Sequence, residues 1–342
     1  MDVKQVKVED AIGMIVGHDL TKIVPGEFKG AAFKKGHIIK KEDIPMLKSM
    51  GKNHINVVEI NEGELHENEA AERIVQSVAG EELYYGDAKE GKIELKAKNR
   101  GIVKVNIEAL KEINSIEQII VATLHNNTLV EKDQAVGATR TIPLVIKEDK
   151  IVQVEQIGRL NNKDIVNIKP LKALKIGVVV TGTEVFEGVI KDRFAPVLVD
   201  KVKGYGSILI DLVYAPDNRE VIKNEIEKLI KNGAEVVLVS GGMSVDADDV
   251  TPLAIEDAAT EVISYGVPAL PGNMLMIAYR GECAIFGIPG AAMYFKTTTL
   301  DILLPRVLAG EKIRREEIVE LGHGGYCPMC KDCTYPNCHF GK

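Results

Sequence analysis

The sequence predicts an α/β protein. A three-layer domain with a largely parallel sheet is expected over residues 174–312, preceded by a smaller α+β and β-rich N-terminal region and followed by a short Cys-rich tail. Three observations carry this expectation. From Leu174 onward, apolar runs, glycine-containing loops and helical patterns alternate several times, as the strand–helix–strand units of a parallel sheet do. The runs Lys175-Ile176-Gly177-Val178-Val179-Val180 and Glu235-Val236-Val237-Leu238-Val239 are almost wholly apolar, as strands covered on both faces must be. Four of the five cysteines crowd into the last 16 residues, apart from any such alternation.

Residues 1–60 read as an α+β segment of short strand-like runs and one helix, opened by Lys41-Glu42-Asp43 and closed by Gly51. A charged stretch from Glu59 to Glu72 leads into a helix through Ala79. Within it, Glu64-Leu65-His66-Glu67-Asn68-Glu69 mixes carboxylates with a histidine and reads as a charged helix start rather than a metal site. Residues 61–173 read as a β-rich middle domain. Short alternating strands are expected from Lys92 to Gln156, with turns at Asn99-Arg100-Gly101 and Lys147-Glu148-Asp149-Lys150 and a helix over 107–113. In the third segment the strands fall at 174–180, 207–214, 235–239, 260–265 and 283–288, and the helices at 192–203, 217–232, 250–258 and 291–309. Residues 313–342 form the tail.

With 342 residues, 45% of them hydrophobic and 27% charged, the chain is ordinary globular protein with material for two or three cores. Its net charge of −7 argues against nonspecific binding to nucleic acid or anionic membrane, which needs a basic surface. No apolar run approaches the roughly 20 residues that span a bilayer, and Met1-Asp2-Val3-Lys4-Gln5 has no signal-peptide core. A cytoplasmic protein with no nucleic-acid or membrane partner is expected.

Two loops hold the candidate chemistry. Thr181-Gly182-Thr183-Glu184 and the stretch Ser240-Gly241-Gly242-Met243-Ser244-Val245 through Pro252 each follow an apolar run and combine small residues with carboxylates. Glycines let backbone N–H groups approach a phosphate, Ser and Thr hydroxyls add donors, and a carboxylate such as Glu184 or Asp249 can hold Mg²⁺. In sheets of this kind ligands sit beyond the C-terminal ends of the strands. A plainer reading makes Ser240-Gly241-Gly242 a tight turn, Asp249 a helix cap and Glu184 a solvated loop carboxylate.

Four motifs in order resemble the molybdopterin-binding domain shared by molybdopterin molybdotransferases, molybdopterin adenylyltransferases and gephyrin. Thr181–Glu184 is similar to the family's Thr-Gly-Asp-Glu loop, and Ser240–Asp249 to its Ser-Gly-Gly-x-Ser-Val-Gly-x-x-Asp loop. Pro271-Gly272 and Gly287-Ile288-Pro289-Gly290 resemble its two Pro-Gly turns. More faintly, Ala11–Leu20 and Phe33–Ile39 resemble the N-terminal part of molybdotransferases. The resemblance implies that molybdopterin or its adenylate is bound by Thr181, Gly182, Thr183, Ser240, Gly241, Gly242, Ser244, Pro271, Gly272, Pro289 and Gly290. It further implies Mg²⁺ at Glu184 and Asp249 as the catalytic pair, molybdate as co-substrate, a homo-oligomer, and a molybdoenzyme as recipient.

The departures from the family pattern bear on the reaction. Thr183 stands for an acidic residue, Asn273 for a lysine suited to an oxyanion, and Ala291-Ala292 for Asn-Pro. Pterin binding is expected to survive these changes better than molybdate insertion. Two other readings therefore stand beside a molybdotransferase: a carrier or sensor of molybdopterin, and a nucleotide pyrophosphatase of the competence-damage type. In the tail, Cys327, Cys330, Cys333 and Cys338 are spaced C-x2-C-x2-C-x4-C, a pattern for four soft ligands. Zinc is the first expectation, an iron–sulfur cluster the second, and an unmetallated or redox-active tail the third.

Overall fold

The computed structural model describes residues 3–24, 28–243 and 249–342. Two compact units divide the chain. One holds Met1–Asn99, Lys104–Leu124 and Lys132–Ile168, the other Arg100–Val103, His125–Glu131 and Lys169–Lys342.

The first unit begins with a three-stranded antiparallel sheet in which His54–Val58 pairs with both Val3–Lys7 and Ile15–Val16. A helix, Ile44–Ser49, follows a short 3-10 turn at Lys41–Asp43 and ends before Gly51, whose φ of +73° is left-handed backbone. Further on, a four-stranded antiparallel sheet runs in the order Ile119–Thr123, Ala135–Thr141, Lys92–Ala97, Leu83–Tyr84. The helix Glu67–Val78 is opened by His66, whose Nδ1 accepts from the Asn68 N–H at 3.2 Å, so the histidine is a cap as the charged helix start implied.

One expectation here is overturned. Residues 148–160 form a helix where a turn and further strands were predicted. Ile151, Val154 and Gly158 bury one face at helical spacing, and Glu148 and Glu155, two turns apart, both bind Arg73 at 2.7 Å. A Cβ at Gly158 would lie 2.5 Å from the Ser77 carbonyl oxygen, so the glycine lets two helices pack closely rather than breaking one.

Glu67 is 6% exposed, and burial pushes its carboxyl above the ordinary range, against the opposing charge of His66. The folded state therefore holds this proton more tightly than the unfolded chain. Stability from this group is present in acid and is lost as pH rises above the normal carboxylate range. Glu67→Gln is expected to flatten that decline and to raise the urea midpoint at neutral pH. An unchanged pH profile would remove Glu67 as its source.

The second unit contains the three-layer domain. Its strands are β1 (Lys175–Thr181), β2 (Ile208–Ala215), β3 (Val236–Ser240), β4 (Glu261–Tyr265), β5 (Met276–Arg280) and β6 (Cys283–Ile288). Their order is β2-β1-β3-β6-β5-β4; the first four pair in parallel, and β5 alone runs the other way, antiparallel to both β6 and β4. The helices are α1 (Thr183–Phe186), α2 (Phe194–Gly204), α3 (Arg219–Lys231), α4 (Thr251–Ala258), α5 (Thr299–Leu308) and α6 (Arg315–Glu320).

Alternation along β1 explains the layers. Val178 and Val180 join Leu198 of α2 and Leu300 and Leu303 of α5 in one core, while Val179 joins Ile226 of α3 and Ile255 of α4 in the other. Fully burying such a side chain contributes about 1.5–3 kcal/mol, which is why the strand reads as an unbroken apolar run.

Two boundaries differ from expectation. β5 was not anticipated: it leads into β6 through the tight connection at Gly281-Glu282 and lies between β6 and the edge strand β4. The helix expected over 291–309 starts at Thr299 as α5; residues Gly290–Met293 form a separate 3-10 turn. Thr298 and Asp301 form a capping box that sets the later start.

Candidate functional site

Strand register brings the candidate loops to one edge of the sheet. Thr181 pairs with Ala215, Val180 with Ser240, and Ser240 with Ile288, so β2, β1, β3 and β6 end side by side. Asp217, Gly182-Thr183, Gly241-Gly242 and Pro289-Gly290 follow those ends directly. The antiparallel pair places Met276 opposite both Gly287 and Tyr265, which brings Pro271-Gly272 and Tyr265 to the same edge. Thus the sequence-predicted residues Thr181–Glu184, Ser240–Gly242, Asp249, Pro271, Gly272, Pro289 and Gly290 share one side of the domain. Ser244 lies outside the described residues.

At the centre, the buried Thr181 hydroxyl donates to the Ser240 carbonyl at 3.0 Å and meets the Thr251 hydroxyl at 3.1 Å. Gly241 has φ +95°, and a Cβ there would lie 2.4 Å from the Thr181 carbonyl oxygen. Gly242 has φ +53°, with a Cβ position 2.8 Å from Thr251 Oγ1 and 3.6 Å from Asp249 Oδ1. Both positions therefore require glycine. The Ser240 hydroxyl is fully buried and has no hydrogen-bond partner among the described residues. Such a group is costly unless something completes it.

The two carboxylates differ in setting. Glu184 is exposed on α1, and its backbone carbonyl accepts from Val189 and Ile190. Asp249 is half-buried next to Gly242. The N-cap position of α4 is Val250, one residue after it. Tyr265, whose hydroxyl donates to the Met243 carbonyl at 3.0 Å, is held above the ordinary phenol range by burial and then by the Asp249 charge.

Among the described residues, no group of three His, Cys, Asp or Glu side chains is placed to hold a metal ion. Neither the Glu184–Asp249 pair nor the four tail cysteines therefore form a completed ligand set. The donor types still suit Mg²⁺, which is commonly held by one or two carboxylates, with waters and substrate phosphates filling the remaining positions.

Several neighbours were not singled out from sequence. Asp217 exchanges two hydrogen bonds with Thr183: its carboxylate accepts from the Thr183 N–H at 2.8 Å, and its own N–H donates to the Thr183 hydroxyl at 3.1 Å. A carboxylate thus reaches the loop although position 183 is not acidic. The signal was available, since Ala215-Pro216-Asp217 also ends an apolar run. The Pro271-Gly272 turn is pinned to α5, where the Thr299 hydroxyl donates to the Gly272 carbonyl at 2.6 Å. Asp301 accepts from Lys201 at 2.6 Å and from the Tyr205 hydroxyl at 2.9 Å, and this fixes the start of α5. Only tertiary pairing reveals these partners.

Residues 177–309 match the family described as "Probable molybdopterin binding domain". This segment belongs to the molybdopterin-binding domain family. Residues 5–59 match a separate domain of unknown function, DUF8806. The molybdopterin molybdenumtransferase of Synechococcus elongatus is 25% identical over 146 residues, spanning 40% of this chain and 36% of that protein. A CinA-like protein of Mycobacterium sp. (strain MCS) is 34% identical over 77 residues, 22% of this chain and 18% of its own length. The chain therefore spans well under half the length of these curated relatives. Among solved structures, the molybdopterin biosynthesis enzyme MoaB of Thermus thermophilus is 18% identical with a TM-score of 0.35, covering 40% of this chain and 98% of its own. Within the molybdopterin-binding domain, the glycine positions at 241, 242 and 272 and the buried Ser240 all lie at the shared edge. No helix is long and apolar enough to cross a membrane among the described residues.

Proposed function

We propose that the molybdopterin-binding domain takes molybdopterin or adenylated molybdopterin at this edge and catalyses the magnesium-dependent insertion of molybdate with release of AMP. The observation that supports it most is the buried Ser240 hydroxyl, without a hydrogen-bond partner among the described residues, beside two left-handed glycines at the end of a parallel strand. Ser240 and the Gly241 and Gly242 amides are suited to a phosphate, which needs several convergent donors. Gly182 and Thr183 line the neighbouring loop, held in place by Asp217. Pro271-Gly272 and Pro289-Gly290 supply rigid walls for a flat ring. Glu184 and Asp249 would hold Mg²⁺, whose role is to draw charge from the pyrophosphate oxygens as the bond to AMP breaks.

Adenylated molybdopterin, Mg²⁺ and molybdate incubated with the protein should give AMP only when molybdate is present. Asp249→Ala should slow that release about 100-fold while the pterin is still retained, because removing a metal ligand withdraws several kcal/mol of charge stabilisation. Release at the parental rate would exclude Asp249 from the reaction.

A second reading is favoured by Asn273, an exposed neutral side chain where the family pattern has a lysine. It makes the domain a carrier that delivers the pterin to a molybdoenzyme. Tight pterin retention without AMP release would establish it. Turnover of free dinucleotides instead would establish a pyrophosphatase.

A further inference from the structure

The cysteine tail is anchored on the core of the second unit. At its entry, the Leu270 N–H donates to the Gly325 carbonyl at 2.7 Å and the Cys327 N–H donates to the Leu270 carbonyl at 2.9 Å. At its exit, Phe340 is 1% exposed within the core that holds Ile302 and Leu303. The Gly341 N–H donates to the Gly324 carbonyl at 3.0 Å, closing the base of the loop, and the Tyr335 hydroxyl donates to the Asp301 carbonyl at 2.8 Å. The chain between these anchors has almost no buried side chains, yet its ends are held closed.

All four cysteines of this loop border one cavity of about 600 Å³, whose far wall is Tyr294–Thr297. Cys333 Sγ lies 3.3 Å from Thr297 Oγ1, Cys327 and Cys338 are half-buried, Cys330 and Cys333 are exposed, and none forms a disulfide. Lys296 and Lys331 stand on the same cavity. The four unbridged thiols border one space but are not gathered to ligand distance, and they stand on a loop closed at its base and lacking its own core, so a soft metal would supply the missing centre by drawing them together.

We propose that Cys327, Cys330, Cys333 and Cys338 form a thiolate centre for a soft transition metal, closing the loop against the Tyr294–Thr297 wall. Each metal–sulfur bond forms as one thiol gives up its proton to solvent and the ion sheds a water. A divalent ion with four thiolates then carries a net charge of −2, which Lys296 and Lys331 offset. This wall follows Pro289-Gly290 in the chain, and the entry strand abuts Leu270-Pro271, so the centre flanks two of the pterin loops. Metal binding here does not depend on the pterin reading.

The test uses the full chain, stripped of metal and reduced. Cobalt titration under argon should give thiolate-to-cobalt charge-transfer and tetrahedral ligand-field absorption saturating at one ion per chain, bleached by zinc. Anaerobic ferrous iron with sulfide forms the second arm, and stable iron–sulfur absorption there would name a cluster as the occupant of the same centre. Cys333→Ser and Cys338→Ser should each weaken binding at least about 100-fold, since even partners outside the ligand set cost 10–100-fold. Unchanged far-ultraviolet circular dichroism would show that these variants fold. Cys283, buried with its thiol pushed up to about 12 by burial and by Glu235, supplies the unaffected control as Cys283→Ala. Absence of both spectra from a fully reduced protein, or undiminished binding when all four positions are serine, would overturn the proposal.

Discussion

Replacing Arg306 by alanine should destabilise the second unit by about 3–5 kcal/mol, the usual result of removing one partner from a buried charge network. Arg306 is 4% exposed inside α5; its Nε donates to Glu311 at 2.9 Å, and its guanidinium also binds Glu317. The Glu311 side chain is itself only 8% exposed. Burial, the largest single influence, pushes the Glu317 carboxyl up, but the hydrogen bonds from Arg306 and from Arg314, together with the Arg306 charge, outweigh it and hold the group below the ordinary range. A lowered folded value means stability that is full above the unfolded carboxylate range and lost as pH falls through the folded one. The parent should therefore lose stability on acidification that Arg306→Ala no longer has to lose. Urea unfolding followed by circular dichroism at neutral and acid pH measures both effects, and coincident curves for parent and variant would show that the network contributes nothing. Changing Arg306, Glu311 and Glu317 together to apolar residues should recover most of the loss, because no charge is then stranded.

The second large effect is expected at Gly241. Alanine there combines a φ of +95° with a Cβ 2.4 Å from the Thr181 carbonyl oxygen, so the end of β3 must move away from β1. Displacing backbone donors by even an ångström weakens what they hold, and a loss of about 100-fold in affinity for molybdopterin is expected. Gly204→Ala, at the end of α2 and outside the site, is the matched comparison, since a Cβ there would meet nothing within 4 Å. Binding followed by pterin fluorescence should fall sharply in the first variant and little in the second. Equal affinities would mean that the Ser240–Gly242 turn does not hold the ligand.

Much of the parallel half was legible because its signals are local. A strand buried on both faces must be apolar throughout, so β1, β3 and β6 announce themselves, and glycines with positive φ at 182 and 241 mark the loops after β1 and β3. The helix 148–160 was hidden because a packing glycine and a charged start resemble a turn, and only contact with Ser77 and Arg73 explains them. β5 was hidden because Met276–Arg280 is short and can be read at either period. Asp217, Tyr265 and Thr299 were not singled out for a related reason: each acquires meaning from a partner distant in sequence.

The sequence by itself determined the alternation of strands and helices, the order of the four loop motifs and the cysteine spacing, since each rests on residue type at fixed separations. Tertiary structure decided which of these residues are neighbours. Parallel register places Thr181, Ala215, Ser240 and Ile288 abreast, and that alignment turns loops about 60 and 50 residues apart into one edge. Burial decided the rest. It leaves Ser240 without a partner among the described residues, ties Thr183 to Asp217 and sets four thiols around a single cavity, because the cost of an unsatisfied polar group depends on what surrounds it.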